Sequence, residues 1–283
     1  MKNKILFLLV TFCLTAQGQI REQLSFNDLY RENLRGKVKE LTKIEYEPVY
    51  KTDGKFDLEV KWIFLIANNY TEKFNRLGYK IEQLEISKHK DSLLTTGTWK
   101  YEYDSSNRIL RENYDKLHSR WDYIYIGDSI TKITKTDLSN YYKPEYYIYT
   151  QRGNKELLKN YIDSNYIYKR IYTYDKSKRI IRHENFENKD SIQDIFMKAY
   201  SDRSSKKVKS FFYKRGKNEP VKYSYEYDKN NNVIKEIKTM SSKTITKFYE
   251  YVYDTNSNWI ESKEFDTNYK LLTVTKREIS YYD

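Results

Sequence analysis

A tyrosine doublet of the form Tyr-x-Tyr recurs along most of this chain, and no other feature restricts its possible folds as strongly. Because successive side chains of a β-strand point to opposite faces, each doublet places two rings on the same face of a strand. The clear doublets are Tyr101/Tyr103, Tyr123/Tyr125, Tyr147/Tyr149, Tyr172/Tyr174, Tyr225/Tyr227 and Tyr251/Tyr253. With weaker copies ending at Phe74, Tyr200 and Tyr282, the repeat has a period of about 26 residues.

Each repeat reads as two strands joined by a polar turn. In the clearest copy, residues 223–227 alternate rings with polar side chains, residues 228–232 are a turn and residues 233–238 are a second strand. Asp and Asn favour such turns because their side chains hydrogen-bond the local backbone. About nine units of this kind imply roughly 16 to 18 strands. The sequence therefore predicts an all-β fold, an elongated and twisted antiparallel sheet of repeated β-hairpins, and does not decide whether that sheet closes.

Composition limits the kind of core that this sheet can have. Tyrosine supplies 31 of the 283 residues, and hydrophobic residues of all types make up only 39%. A deep multilayer core is therefore not expected. We expect instead that rows of rings on neighbouring strands stabilise the sheet by about 0.2–1 kcal/mol per cross-strand pair.

The N-terminus has the pattern of an export signal. A short basic head, residues 1–4, precedes an apolar segment, residues 5–16, and Ala16 and Gly18 are the small residues of a cleavage site. We therefore predict a signal peptide over residues 1–18 and a location in the periplasm, cell envelope or extracellular space. A lipoprotein signal at Cys13 is the alternative, which the bulky neighbour Phe12 disfavours. No later apolar run reaches the length of a transmembrane helix.

The remaining chain has no obvious domain boundary. Residues 19–36 are predicted to form an N-terminal cap with a short helix that begins near Ser25 or Asn27 and ends before Gly36. Residues 37–283 are predicted to form a single β domain. If the signal peptide is removed, Cys13 is removed with it, so we expect no disulfide and no cysteine chemistry.

The turn sequences resemble those of the YD-repeat (Rhs-type) family of secreted bacterial proteins. Residues 101–109 follow its Tyr-x-Tyr-Asp-x-x-x-Asn-Arg-Ile form, and residues 254–259 resemble a variant in which Ser257 replaces the usual Gly. The resemblance covers residues 34–283. It implies a short member of the family without a toxin domain, and some members of the wider family are described as carbohydrate-binding. The turn residues that it identifies as structural are Tyr103, Asp104, Tyr174, Asp175, Tyr227, Asp228, Tyr253 and Asp254.

The sequence contains no recognisable reaction centre. His89, His118 and His183 lack the spacing of a zinc site and lie among polar neighbours, which is typical of exposed strand or turn residues. Glycine-rich phosphate loops and nucleophile elbows are also absent from the sequence. The turn at Asp228 begins like a calcium loop but lacks the glycine and glutamate that such a loop needs. We therefore predict no catalytic residue, no metal and no cofactor.

Aromatic rings remain the best candidates for binding a ligand. Trp99, Trp121, Tyr146 and Tyr147 could form a platform for sugars, since such rings suit partly wet surfaces, although they could equally form the apolar face of the sheet. Tyr146 and Tyr147 are adjacent, so one ring must point to the opposite face.

The formal charge of +12 arises from interspersed basic and acidic residues, and nucleic acid is an unlikely partner for an exported chain. A glycan or a cell-surface protein is the more plausible ligand. The leading hypothesis is a non-catalytic binding or scaffold module. The alternatives are a hydrolase of envelope polymer and a neutraliser of a secreted toxin.

Overall fold

A computed structural model describes residues 28–61, 69–89, 92–126, 129–139, 143–162, 165–177, 179–187, 191–200, 207–216, 218–241 and 243–283. The predicted signal peptide, residues 1–18, lies outside these ranges, as do Ser25 and Asn27. Within the ranges the chain has one short helix, α1, and nineteen β-strands. Their bounds are α1 Asp28–Arg31, β1 Val38–Tyr50, β2 Phe56–Val60, β3 Tyr70–Phe74, β4 Lys80–His89, β5 Ser92–Tyr103, β6 Ile109–Tyr114, β7 Ser119–Ile126, β8 Ser129–Asp137, β9 Glu145–Arg152, β10 Lys155–Ile162, β11 Asn165–Tyr174, β12 Ile180–Glu187, β13 Ser191–Tyr200, β14 Val208–Arg215, β15 Val221–Tyr227, β16 Val233–Met240, β17 Lys243–Tyr253, β18 Trp259–Phe265 and β19 Leu271–Tyr281.

The strands form one antiparallel sheet that closes on itself. Strands β3 to β19 pair in the order of the sequence, and β1 joins the two ends. One edge of β1, residues 38–46, pairs with residues 281–274 of β19, while residues 40–43 pair on the other edge with residues 73–70 of β3. Eighteen strands thus form a closed barrel. The remaining strand, β2, extends the far half of β1 beyond this ring.

The expectation of an all-β antiparallel fold is confirmed, but the elongated meander is wrong. Closure depends on the pairing of β1 with β19, which come from opposite ends of the described chain, and no local pattern encodes that contact. Its physical advantage is that it satisfies the backbone N–H and C=O groups of two edges that a meander would leave unpaired.

The two faces of the barrel wall differ in burial. On β9, Tyr147 and Tyr149 are 2% and 6% exposed, whereas Ile148 between them is 42% exposed. No second layer covers the sheet within the described ranges, so the better buried face is the concave one. The tyrosine doublets therefore line the inside of the barrel.

Asp side chains shape the hairpin turns at one end of the barrel, where β1 begins and β19 ends. In residues 104–108, Oδ1 of Asp104 accepts hydrogen bonds from the backbone N–H groups of Ser106 and Arg108, both at 2.9 Å. Asn107 has a φ of 60°, the left-handed conformation that Asn tolerates. The same pattern recurs in turns that begin at Asn75, Asp175, Asp228 and Asp254.

A tyrosine hydroxyl from the following hairpin holds four of these five turns in place. The acceptor is the backbone carbonyl of the fifth residue after the Asp or Asn that begins the turn. The bonds run from Tyr103 to Lys80, Tyr125 to Ile109, Tyr200 to Ile180 and Tyr251 to Val233, at 2.6 to 3.0 Å. Phenylalanine cannot donate this bond, which explains why tyrosine recurs with the hairpin period.

Residues 28–37 cross this same end of the barrel, and we call them the N-terminal strap. Leu29 and Leu34 of the strap pack against Val38, Leu41 and Phe74 on the inner face. The strap contains α1, the only helix of the described ranges, which is a single turn. It corresponds to the later part of the predicted cap, residues 19–36.

Polar contacts fix the strap at both of its ends. At its start, Oδ2 of Asp28 accepts a hydrogen bond from the backbone N–H of Lys80 at 2.7 Å. Near its end, Arg35 exchanges two hydrogen bonds with the Asn258 side chain, at 2.7 and 2.9 Å. The strap therefore links the turns on either side of the β1–β19 seam.

Candidate functional site: an aromatic ladder inside the barrel

Aromatic rings from five consecutive strands, β11 to β15, form a ladder across the inner face. The centroid distances are 4.5 Å from Tyr172 to His183, 5.1 Å from His183 to Phe196 and 4.7 Å from Phe196 to Tyr213. These three pairs have interplanar angles of 17–28°, so the rings are stacked. We call Tyr172, His183, Phe196, Phe211, Tyr213 and Tyr223 the aromatic ladder.

Two further ring contacts extend the ladder to β15. The centroid distance is 6.0 Å from Phe196 to Phe211 and 5.7 Å from Phe211 to Tyr223. Strand register explains this continuity, because Phe196 lies opposite Tyr213 and Phe211 lies opposite Tyr223. Tyr172 is almost fully buried, whereas the other five members are half-buried. The ladder therefore presents accessible ring surface to the interior.

His183 behaves as a neutral ring within the ladder. Burial and the positive charge of Arg170 lower the pKa of His183 to about 3. At neutral pH it is therefore uncharged and stacks between Tyr172 and Phe196. This corrects the expectation of an exposed histidine, which was based only on its charged sequence neighbours.

Polar groups surround the ladder at several points. The hydroxyl of Tyr213 donates to Oδ1 of Asp194 at 3.3 Å, and Arg215 lies 3.9 Å from the same carboxylate. Nζ of Lys238 lies 5.6 Å from the centroid of Tyr223. The ladder thus combines flat apolar surfaces with hydrogen-bonding and charged groups, as a site for an amphipathic ligand requires.

Two of the predicted binding residues, Trp99 and Trp121, are parts of a packed cluster elsewhere on the inner face. Trp99 stacks on Tyr114 at 4.3 Å and on Trp121 at 5.1 Å. Glu85 accepts hydrogen bonds from the Trp99 indole and the Tyr114 hydroxyl, at 3.2 and 2.8 Å. Trp121 is only 2% exposed, so its main role is packing.

A glycine makes room for that cluster. A Cβ atom at Gly97 would lie 2.9 Å from the ring of Tyr114 and 3.0 Å from the carboxylate of Glu85. The first distance is shorter than real Cβ contacts and the second is tighter than most of them, so a side chain at position 97 would displace the Tyr114 ring or the Glu85 carboxylate.

The other two predicted binding residues lie on opposite faces of the wall. Tyr147 points inward, is 2% exposed and donates a hydrogen bond to Glu145 at 2.5 Å. Tyr146 points outward, where Lys132 lies 4.5 Å from its ring centroid. The structure therefore does not bring Trp99, Trp121, Tyr146 and Tyr147 together as one platform.

The predicted turn residues fall into two kinds. In the Asp–Arg turns, residues 104–108 and 175–179, the Arg at the fifth position donates to the turn Asp at 2.7 Å. The guanidinium groups of Arg108 and Arg179 also lie 4.6 and 4.2 Å from the ring centroids of Tyr125 and Tyr200. These turns are thus closed by an ion pair and a cation–π contact.

In the Asp–Asn turns, residues 228–232 and 254–258, an Asn occupies the fifth position. Asn232 donates to the Tyr253 hydroxyl at 2.9 Å, and that hydroxyl donates to Asp228. Asn258 donates to Tyr281 at 2.8 Å in the equivalent position, and Tyr281 donates to Asp254. Both Asp–Asn turns also contact the strap, through Asn33 and Arg35.

Charged residues lie beneath the strap on the inner face. Lys80 and Glu72 form an ion pair of 2.6 Å, and both side chains are well buried. The guanidinium of Arg277 lies 3.6 Å from the ring centroid of Trp259 and 3.5 Å from Glu32 of the strap. The pair between Arg277 and Glu32 attaches the strap to the barrel wall.

Sequence reasoning missed most of the ladder. Phe196, Phe211 and His183 belong to none of the Tyr-x-Tyr doublets, so the repeat did not select them. The signal was available in part, because Phe211 and Tyr213 have the two-residue spacing of one strand face. Their alignment with Phe196 and Tyr223 depends on the register of the hairpins. Turn geometry and loop length set that register, so the spacing of residues within one strand does not reveal it.

The described ranges contain neither a metal-binding cluster nor a helical membrane span. No group of three or more His, Cys, Asp or Glu side chains in these ranges is placed to hold a metal ion. No helix in the described part of the chain has the length and hydropathy of a membrane span.

Comparisons with known proteins give only remote structural likeness. No family model matches the chain, and no curated protein matches it. A solved structure described as a porin-like protein from Bacteroides uniformis is 11% identical, with a TM-score of 0.46, covering 84% of this chain and 96% of that one. A porin-like protein from Bacteroides vulgatus is 11% identical, with a TM-score of 0.32 and coverages of 87% and 98%. A putative exported protein with a YmcC-like fold from Bacteroides fragilis is 10% identical, with a TM-score of 0.21 and coverages of 87% and 97%.

These findings overturn the assignment to the YD-repeat family. No YD-repeat family model matches the chain, and the hairpins form a closed barrel instead of an open meander. The Tyr-Asp pattern has a local explanation, since Asp shapes each turn and tyrosine holds the neighbouring one. Asp and Tyr would stabilise the turns of any regular antiparallel ring of hairpins in the same way. The Tyr-Asp motif therefore indicates the type of turn and does not identify a family.

Proposed function

We propose that this protein is an exported, envelope-associated, non-catalytic barrel that binds a glycan on its aromatic ladder. The observation that carries this proposal is the ladder itself, with half-buried rings on the concave face of a closed wall. Sugar rings have an apolar face and a hydroxyl-bearing rim, so they suit stacked aromatic side chains flanked by polar groups.

The width of the barrel supports binding in the interior. Barrels of 16 to 18 strands are wide enough to enclose water, whereas an eight-stranded barrel is filled by its own side chains. The ring of 18 strands belongs to this wider class, and the half-buried rings of the ladder mark the part of its inner face that a linear oligosaccharide would contact.

The outer wall supports a position in the aqueous part of the envelope. Arg111 forms ion pairs with Asp122 at 2.8 Å and Glu102 at 3.4 Å, across three neighbouring strands. Similar pairs lie on β3 to β4 and on β15 to β16, at 2.6 and 2.9 Å. Charges at such positions are costly against lipid, where a barrel needs a continuous apolar band. We therefore expect the mature protein to remain monodisperse without detergent, and a requirement for detergent would contradict this part.

A glycan array probed with the mature protein tests the proposal, and two adjacent residues give a matched pair of variants. Phe211 belongs to the ladder, whereas Phe212 follows it on the outer face opposite Lys222. Phe211→Ala should weaken glycan binding about tenfold, the loss expected for one central aromatic contact. Phe212→Ala should leave it unchanged. Absence of binding to every glycan, or equal losses in both variants, would contradict the proposal.

A further inference from the structure

One cross-strand row of the ladder has a cation at each end. Strand register places Lys198 opposite Phe211, Phe211 opposite Tyr223 and Tyr223 opposite Lys238. All four side chains point to the inner face, because paired residues of adjacent strands share a face. The row therefore reads cation, ring, ring, cation across β13 to β16.

The two lysines are available to a ligand. Neither Lys198 nor Lys238 forms an ion pair with a carboxylate among the described residues. Nζ of Lys238 lies 5.6 Å from the Tyr223 centroid, so its charge stands beside the ring surface. Acidic groups occur nearby on the same face, but Asp194 is paired with Arg215, and Glu236 lies opposite Lys247.

The spacing of this row fits a polymer better than a small anion. Three strand spacings of about 4.8 Å separate β13 from β16, so the two lysine Cα atoms lie roughly 14 Å apart. One carboxylate cannot contact both ammonium groups with the rings between them. A chain of sugars with repeated charges can place a ring on each aromatic residue and an acidic group at each lysine.

We infer that the ligand of the ladder is an anionic glycan, such as a polymer of uronic acids. This inference rests on the proposed function, because it assigns the class of glycan to the same site. The rings contact the sugar faces, and Lys198 and Lys238 pair with carboxylates on different sugars. The net formal charge of +12 favours the approach of such a polyanion.

Polygalacturonate and its fully methyl-esterified form test the inference, because they share a backbone and differ in charge. In calorimetry with the mature protein, the acid should bind at least tenfold more tightly than the ester, and added salt should reduce the difference. The double variant Lys198→Met/Lys238→Met should bind both polymers equally. Lys222→Met is the control, since Lys222 lies on the outer face.

The outcomes separate this inference from the proposed function. Equal binding of acid and ester by the wild-type protein overturns the inference and leaves a neutral-glycan site. If neither polymer binds and the glycan array is also empty, both proposals fail. Tighter binding of oligothymidylate than of polygalacturonate overturns the glycan assignment, since stacked rings and lysines also suit single-stranded nucleic acid. If the double variant does not fold, Lys198→Gln/Lys238→Gln and the salt dependence of the wild type decide the question.

Discussion

The Asp–Arg turns and the Asp–Asn turns share one backbone shape but differ in what they hold. Arg108 closes its turn locally, through an ion pair with Asp104 and a contact with the Tyr125 ring. The backbone N–H of Asn258 bonds Asp254, and its side chain bonds Arg35 and Tyr281, which lie near opposite ends of the described chain. The residue at the fifth position of the turn thus decides which contacts form. Arg makes contacts within its own hairpin and the next one, whereas Asn258 joins segments that are distant in the sequence.

This difference follows from the chemistry of the two side chains. Arg offers only donors, so it suits the carboxylate of its own turn. Asn offers a donor and an acceptor, and can therefore pair with both the N–H and the C=O of Arg35. Asn258 binds the strap backbone in this way, whereas Asn232 accepts a hydrogen bond from the side chain of Asn33 in the strap.

The largest predicted effect is at Asn258, which is 1% exposed. Asn258→Ala removes three side-chain hydrogen bonds and leaves buried groups unpaired, so it should lower the free energy of unfolding by about 3 kcal/mol. Arg108→Ala, at the equivalent position of an Asp–Arg turn, should cost about 1 kcal/mol. Urea denaturation of both variants measures the difference. Equal losses would show that the strap contacts add nothing.

A smaller difference in unfolding free energy is expected between the loss of two tyrosine hydroxyls. Tyr253 joins Asp228 and Asn232, whereas Tyr125 makes one bond to the carbonyl of Ile109. Tyr253→Phe should therefore cost about 2 kcal/mol and Tyr125→Phe about 1 kcal/mol, in the same denaturation experiment. A larger loss for Tyr125→Phe would contradict the stated role of the Asp–Asn turns.

The Asp–Arg turns should contribute to acid sensitivity. Burial alone would raise the pKa of Asp104, but hydrogen bonds from the Arg108 backbone and side chain outweigh it and hold that pKa below its usual range. The pKa of Asp175 is lowered in the same way by Arg179. A carboxyl with a lowered folded pKa stabilises the fold above its unfolded pKa near 4, and this contribution is lost as the pH falls below that value.

The acid effect can be isolated with Asp104→Asn/Asp175→Asn, which replaces both carboxyls. The stability of this variant should fall less than that of the wild type between pH 5 and pH 3, as urea midpoints would report. Asp53→Asn, in an exposed turn, is the control and should leave the pH dependence unaltered. An identical decline in the wild type and the double variant would contradict the assignment of these two carboxyls.

The smallest effect concerns the left-handed residue of each turn. Ser257 has a φ of 64°, which is unfavourable for a residue with a Cβ atom. Ser257→Gly should raise the free energy of unfolding by about 0.5–1 kcal/mol. Asn107→Gly should have little effect, since Asn tolerates this conformation in the Asp–Arg turn. Thermal denaturation of the pair checks the order, and destabilisation by Ser257→Gly would contradict it.

The local parts of this fold could be predicted from sequence, and its closure could not. Residues 223–238 show why: ring alternation, an Asp-led turn and a second strand are all encoded within one hairpin. The pairing of Leu41 with Ile279 depends on the curvature of the whole sheet, so the residues next to either of them in the sequence do not predict it. For the same reason the doublets identified a ring-lined face but did not reveal that it is concave.

The candidate site shows the same division. The prediction that aromatic rings provide the binding surface stays a proposal, but its residues changed from Trp99 and Trp121 to the ladder. Trp121, which the sequence offers as a binding residue, is buried by packing. His183 and Phe196 gain their meaning only from stacking across two strands.

The closed ring is the central claim, because the concave face, the ladder and the strap all depend on it. Residue-level amide hydrogen exchange of the mature protein tests it at the seam between β1 and β19. We expect the amides of residues 41–45 and 275–279 that bond across the seam to be protected as strongly as those shared by β11 and β12. Rapid exchange along both seam strands, with protection retained elsewhere, would mean that the sheet is open.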